Sequence, residues 1–134
     1  MSTPRRLTLE ILPERYAIWQ LPAGEPLPDP ADLLSVTSVE GNRSVVSTEA
    51  AVPAAADAVT GYRCLRLQGE FPLEETGILS RLSTPLAHSG IPLFVISTFA
   101  TDYLLLRECD IPKARRALAA DDIAILPPER GGVS

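Results

Sequence analysis

The chain has 134 residues and a net charge of −5, with 46% hydrophobic and 22% charged residues. These are ordinary globular proportions for one compact domain or two small ones sharing a core, and they argue against a disordered chain. The acidic balance argues against a nucleic-acid partner, which needs clustered Lys/Arg to displace counterions.

The basic groups Arg5-Arg6 and Lys113-Ala114-Arg115-Arg116 read as a solvated terminus and the polar face of a helix. Thirteen prolines, about twice the usual ~5%, predict short elements with many interrupted connections. No apolar run approaches the ~20 residues that span a bilayer, and Leu7-Thr8-Leu9-Glu10 breaks any signal-peptide apolar region. A cytoplasmic protein with no membrane contact is the expectation. Cys64 and Cys109 form no CxxC, so no metal, cofactor or redox pair is expected, and both read as small buried apolar residues.

In the first half, Leu7, Leu9 and Ile11 alternate with polar residues as a half-buried strand does. Pro13-Glu14-Arg15 reads as a turn, with Tyr16 to Leu21 as the returning strand of a hairpin. Four prolines make residues 21–30 a loop. Leu33 to Ser38 and Ser44 to Thr48 follow as two strands joined by Glu40-Gly41-Asn42-Arg43. Residues 50–60, small and alanine-rich, divide the chain, giving expected modules at 1–60 and 61–134.

The second half opens with a strand, Tyr62 to Gln68, in which Leu65 and Leu67 share a face. Glu74 and Glu75 suit the positive end of a helix whose stripe is Ile78, Leu79, Leu82 and Leu86. Pro85 predicts a kink, Gly90 a C-terminal cap and Pro92 a stop. Strands follow at Pro92 to Thr98 and Tyr103 to Arg107. Asp110 can cap a helix buried along Ile111, Ala114 and Leu118, and Ile123 to Leu126 forms the last strand. The order βαββαβ predicts an α+β, ferredoxin-like arrangement with two helices on one face of a four-stranded antiparallel sheet. Tyr62, Cys64, Arg66 and Gln68 then face away from the helices, on a surface left for water or a partner.

The segments Gly61-Tyr62-Arg63-Cys64-Leu65-Arg66-Leu67-Gln68-Gly69, Glu75-Thr76-Gly77-Ile78-Leu79 and Ile96-Ser97-Thr98-Phe99-Ala100-Thr101-Asp102-Tyr103 resemble bacterial ACT-domain proteins. The group in question includes the CASTOR-type arginine sensors. Leu21-Pro22-Ala23-Gly24 and Leu34-Ser35-Val36-Thr37 extend the resemblance more loosely into the first half. It implies two ACT-like modules, the first degenerate and mostly strand, with an amino acid bound between modules and a regulated protein partner. It also implies that Gly77, Ile78, Thr98, Phe99 and Asp102 line the pocket, with Ser35 and Val36 contributed by the other module. The eukaryotic sensors have four modules, so a homodimer is expected to complete the pocket; arginine is one candidate ligand among the amino acids.

Residue chemistry is compatible with that implication. A glycine at a helix start lets amides approach a ligand carboxylate, as Gly77 and Ile78 would, though Gly77 equally suits close helix–sheet packing. Asp102 can hold an ammonium or guanidinium, yet aspartate is also an ordinary turn residue. Thr98 offers a hydroxyl but is at home in a strand, and Phe99 can wall a pocket, stack on a cation or pack in the core.

Catalysis finds little support. His88, the only histidine, falls at a helix end, the serines have no local base, and no phosphate-binding loop occurs. Trp19 reads as a packing anchor. The reading is a non-enzymatic amino-acid-binding regulatory protein; the alternative is a protein-interaction module that uses the open sheet face.

Overall fold

The computed structural model describes residues 6–69 and 77–128. The expected helix opening at Glu74 and Glu75 lies outside the described residues. Two compact units emerge, Met1–Pro13 with Arg63–Ser134 and Glu14–Tyr62. They are not the stretches 1–60 and 61–134, because residues 1–13 group with the C-terminal half. Two long strands run through both units, β1 (Leu7–Gln20) and β4 (Ala58–Leu67).

The first unit carries both helices. After β4 come α1 (Ile78–His88), β5 (Phe94–Ser97), β6 (Asp102–Arg107), α2 (Ile111–Ala119) and β7 (Ile123–Leu126). This is the expected βαββαβ order, but the sheet differs from the expected four antiparallel strands. Within this unit the order is β7-β1-β4-β6-β5. The N-terminal part of β1 lies between the last strand and β4, and it pairs with β7 in parallel, Leu7 opposite Ile123 and Leu9 opposite Ile125. β5 and β6 form an antiparallel hairpin.

The reason lies in the alternation. Leu7, Leu9 and Ile11 are buried with Leu65, Leu67, Leu104, Leu106, Ile123 and Ile125, all on the sheet face that also receives Leu82 and Leu86 of α1 and Ala114 and Leu118 of α2. A strand with one fully apolar face has to place it over this core, and apolar neighbours on both sides allow it an interior position. α1 buries Leu82 and Leu86 and packs a partly buried Ile78 against the same cluster, whereas Leu79 is exposed, off the expected stripe. Pro85 sits inside the helix. The helix ends in a Schellman motif: the Ile91 N–H donates to the Leu86 carbonyl (2.9 Å) and the Gly90 N–H to that of Ala87 (3.0 Å). Gly90 has φ +71° there, the left-handed conformation a glycine tolerates. Asp110 does precede α2, but its side chain makes no capping bond and instead accepts from Arg107 Nε at 2.9 Å.

The second unit is all strand. β2 (Leu33–Val39) and β3 (Asn42–Thr48) form a hairpin, and the order within the unit is β2-β3-β1-β4. Glu40 and Gly41 have φ +49° and +82°, the consecutive left-handed pair of a two-residue type I′ turn. Tyr16 to Gln20 pair with Thr48 to Ser44. The predicted hairpin around Pro13 is absent, since β1 continues unbroken through it. The odd-numbered apolar positions keep their phase across Pro13 and Arg15, from Leu7, Leu9 and Ile11 to Ala17, Trp19 and Leu21, as one strand requires.

Ala17, Trp19, Leu21 and Val45 make this unit's small core, with Leu33, Val52 and Ala56 packed against it. Trp19 is the packing anchor, and its indole Nε1 donates to Ser47 Oγ at 2.8 Å. Arg43 ties down the proline-rich loop by donating to the carbonyls of Pro22 and Glu25, each at 3.3 Å.

Candidate functional site

Thr98, Phe99 and Asp102 come together in the turn between β5 and β6, and the local sequence explains its shape. The Thr98 N–H and hydroxyl both donate to the Thr101 carbonyl, at 2.9 and 2.7 Å. The same hydroxyl accepts from the N–H groups of Ala100 (3.3 Å) and Thr101 (3.1 Å). A threonine that bonds its own turn in this way replaces a longer strand end, so its donor is already committed to the fold.

Thr101, which the sequence reading did not single out, anchors the turn. Its buried hydroxyl donates to the Leu67 carbonyl at 2.8 Å, fixing the hairpin to the end of β4. The signal available in the sequence was a second threonine three residues after Thr98, the spacing of a closed turn. With both threonines engaged, Phe99 stands at the tip and is 89% exposed, so it is not a core residue. Asp102 opens β6, paired in register with Ser97 and half-buried. Its carboxylate has no hydrogen-bond or ion-pair partner among the described residues.

Gly77 is the residue before α1, with φ +86°. A Cβ built there would meet no atom within 4 Å. The glycine is therefore explained by its backbone conformation and not by close helix–sheet packing. Gly77 itself has no side chain with which to cap the first-turn amides. No hydrogen bond among the described residues joins Gly77 or Ile78 to the β5–β6 turn. Ser35 and Val36 lie in the other unit, on β2, opposite Val46 and Val45 just after a bulge. One turn into α1, an open groove of about 350 Å³ is lined by Ser80, Arg81, Thr84, Pro85 and Asp121; none of the residues expected at the site contributes to it.

The sheet face away from the helices is polar at its surface and closed beneath. Arg66 Nη2 lies 2.6 Å from Glu10 Oε1. Hydrogen bonding to Glu10 and, more weakly, the neighbouring Tyr103 raise the Arg66 pKa above its ordinary value. Cys64 and Leu105 are fully buried, and burial pushes the Cys64 thiol up to about 12, with Arg66 opposing the shift. Cys109 is exposed, against the expectation that both cysteines are buried. His88 is the exposed last residue of α1. No group of three His, Cys, Asp or Glu residues that could hold a metal ion occurs among the described residues, and no described helix is long and apolar enough to cross a membrane.

Residues 57–120 match the ACT domain. Protein Atu0741 from Agrobacterium tumefaciens is 33% identical, with a TM-score of 0.84 over 95% of this chain and 97% of its own. A Vibrio cholerae protein, VC0802, described as of unknown function and a possible transport protein, is 15% identical, with a TM-score of 0.69 over 87% of this chain and 91% of its own. The regulatory subunit of aspartate kinase from Thermus thermophilus has the same fold at 10% identity, with a TM-score of 0.56 over 84% of this chain and 95% of its own. ACT domains are regulatory, amino-acid-binding modules. The chain carries such a domain and belongs to the family of the Agrobacterium protein.

Proposed function

We propose that this protein is a non-enzymatic amino-acid sensor of the arginine-sensor-related group, built from two ACT-like modules and acting as a cytoplasmic homodimer on a regulated protein partner. The observation that carries the reading is the β5–β6 turn. Two engaged threonines fix its backbone, and it presents an exposed Phe99 and, three residues on, the Asp102 carboxylate, which has no partner among the described residues. A carboxylate of this kind suits an ammonium or guanidinium through a charge-assisted bond, and an exposed aromatic ring in the same turn can add cation–π attraction.

In this reading the ligand carboxylate is met by the amides at Gly77 and Ile78, where the start of α1 is favourable to an anion. Thr98 sets the turn and is a wall of the pocket through its methyl group. Ser35 and Val36 are the contribution of a second module. Binding regulates the partner only if the ligand distinguishes two arrangements of the protein, since equal affinity for both shifts nothing.

The test is a thermal-shift panel of the common amino acids on the full chain. A ligand at 100 times its Kd adds about 2.7 kcal/mol, a rise of several degrees. The expected result is a hit among amino acids, lost in Asp102→Ala and kept in His88→Ala. A flat panel overturns the sensor reading and favours the interaction module, for which the Glu10–Arg66 face is the surface to mutate.

A further inference from the structure

Within the all-strand unit, three segments enclose a hollow of about 330 Å³, at the small end of the ~300–1,000 Å³ usual for ligand sites. Its rims are Pro22 and Ala23 after β1, Gly41 and Asn42 at the β2–β3 turn, and Ala55 to Asp57 before β4. Gln20 and the buried Leu21 complete the lining. The rims are held by backbone bonds. The Glu25 N–H donates to the Pro22 carbonyl at 3.1 Å, and with Gly24 at φ +82° this closes a type II turn. The Gln20 N–H donates to the Asp57 carbonyl (3.3 Å), and the Ala56 N–H to that of Pro53 (3.0 Å). Small residues leave the space open, and a Cβ built at Gly41 would meet no atom within 4 Å. The hollow is thus formed in advance of any occupant, which lowers the ordering cost of filling it.

Its polar groups are only partly used. Gln20 Nε2 donates to Asn42 Oδ1 at 3.4 Å, which leaves Gln20 Oε1 to accept and Asn42 Nδ2 to donate. The Asp57 carboxylate has no hydrogen-bond or ion-pair partner among the described residues. Residues 20–25, 40–43 and 55–57 carry Glu25, Glu40 and Asp57 against Arg43 alone. The Arg43 guanidinium already donates to the Pro22 and Glu25 carbonyls. A cation is attracted into such a field, whereas a carboxylate is repelled and meets no uncommitted positive charge.

We infer that this hollow is a small-molecule site of its own, and that it takes a small ammonium compound with a neutral hydrogen-bond acceptor, such as an amino alcohol or an amino amide. The ammonium bonds the Asp57 carboxylate and Gln20 Oε1, and the acceptor takes the Asn42 Nδ2 donor. The charge-assisted bond to Asp57 is the strongest of these contacts. The site shares no residue with the β5–β6 turn and disfavours a ligand carboxylate, so it stands apart from the amino-acid sensor reading.

The test is a titration of the full chain followed by proton–nitrogen correlation spectra, in which the side-chain amides of Gln20 and Asn42 report directly. The probes are ethanolamine, glycinamide, glycine and acetamide up to about 50 mM, well above the ~1 mM Kd expected of ligands this small. Saturable shifts at Gln20, Gly41 and Asn42 are expected with ethanolamine and glycinamide, weaker ones with glycine and none with acetamide. Asp57→Asn is expected to raise Kd at least about tenfold. Ala23→Leu fills the rim at a turn position open to most residues and is expected to abolish binding; an otherwise unchanged spectrum shows that each variant folds. Absence of saturable shifts at these residues overturns the inference, as does binding indifferent to Asp57→Asn and Ala23→Leu. Glycine bound as tightly as glycinamide overturns the assigned ligand class. Shifts confined to Thr98 through Asp102 overturn this site and leave the sensor reading standing, whereas shifts here beside a flat amino-acid panel do the reverse.

Discussion

The two units fold from the same kind of alternating strand and reach different cores. In the helical unit, α1 and α2 cover one sheet face, and fourteen buried apolar residues form a continuous cluster. In the all-strand unit, the cluster around Trp19 holds Ala17, Leu21 and Val45, and Trp19, its largest member, keeps a polar atom that needs Ser47. A helix layer closes a sheet face with side chains that have no hydrogen-bonding demand. A strand layer without helices relies on one large aromatic residue and on loops held by side chains such as Arg43. Stability in the first unit should thus depend on volume, and in the second on one hydrogen bond and one ring.

That difference can be broken by substitution. The largest effect is expected for Leu82→Ala, which empties a fully buried position under α1 and should cost about 2–5 kcal/mol in urea unfolding. A loss below about 1 kcal/mol would mean that the helix layer collapses into the space and that packing there is loose. Next is Trp19→Phe, which keeps most of the ring and deletes the donor to Ser47. The expected cost is about 1–2 kcal/mol, from one lost hydrogen bond and some lost area, because the Ser47 hydroxyl keeps its own donation to the Thr48 carbonyl at 2.9 Å. A double-variant cycle with Ser47→Ala in which the two single losses fail to add would assign that cost to the hydrogen bond.

The smallest effect per step, and the one that sharpens the comparison most, is the alkaline response of Cys64. Its folded pKa of about 12 lies above the ordinary 9.0. As pH rises above 9 the unfolded chain releases this proton while the folded chain keeps it. Stability from this group is therefore complete below pH 9 and is lost between pH 9 and 12, with a slope approaching ~1 kcal/mol per pH unit. Urea unfolding at pH 8, 10 and 11 should show wild type losing more than Cys64→Ala over the same range. Equal slopes would show that the sheet face above Cys64 admits water.

The sequence was most legible where periodicity and burial agree. Leu82 and Leu86, then Ala114 and Leu118, announced two helices, and Gly90 with Pro92 announced the end of the first, because each depends on neighbours only a few residues away. The unbroken β1 was also written in the phase of its odd-numbered apolar positions, but Pro13-Glu14-Arg15 has turn composition and outweighed it. The position of β1 between β4 and β7 was not legible, since it depends on a match with Ile123 and Ile125 at the far end of the chain.

At the candidate site, the grouping of Thr98, Phe99 and Asp102 followed from their closeness in sequence. What could not be read was that turn bonds consume the Thr98 hydroxyl, or that Phe99 escapes the core. Both depend on Thr101 finding the Leu67 carbonyl. The free edge of β2 was likewise invisible, because nothing in Leu33 to Val39 marks it as the last strand of its unit.

The parallel pairing of β1 with β7 constrains how the chain is made. Leu7 to Glu10 are synthesised more than a hundred residues before their partners Ile123 to Leu126. At about 5–20 residues per second, the nascent chain carries the uncovered apolar face of Leu7, Leu9 and Ile11 for several seconds. Contacts this distant in sequence also close slowly. The stretch 57–120 that matches the ACT domain contains neither of these strands, so expressed alone it exposes the edge of β4. The earlier strand of this pair is thus secured only once the later one has been made, and Leu7 to Ile11 are the stretch of β1 most in need of protection from aggregation during synthesis.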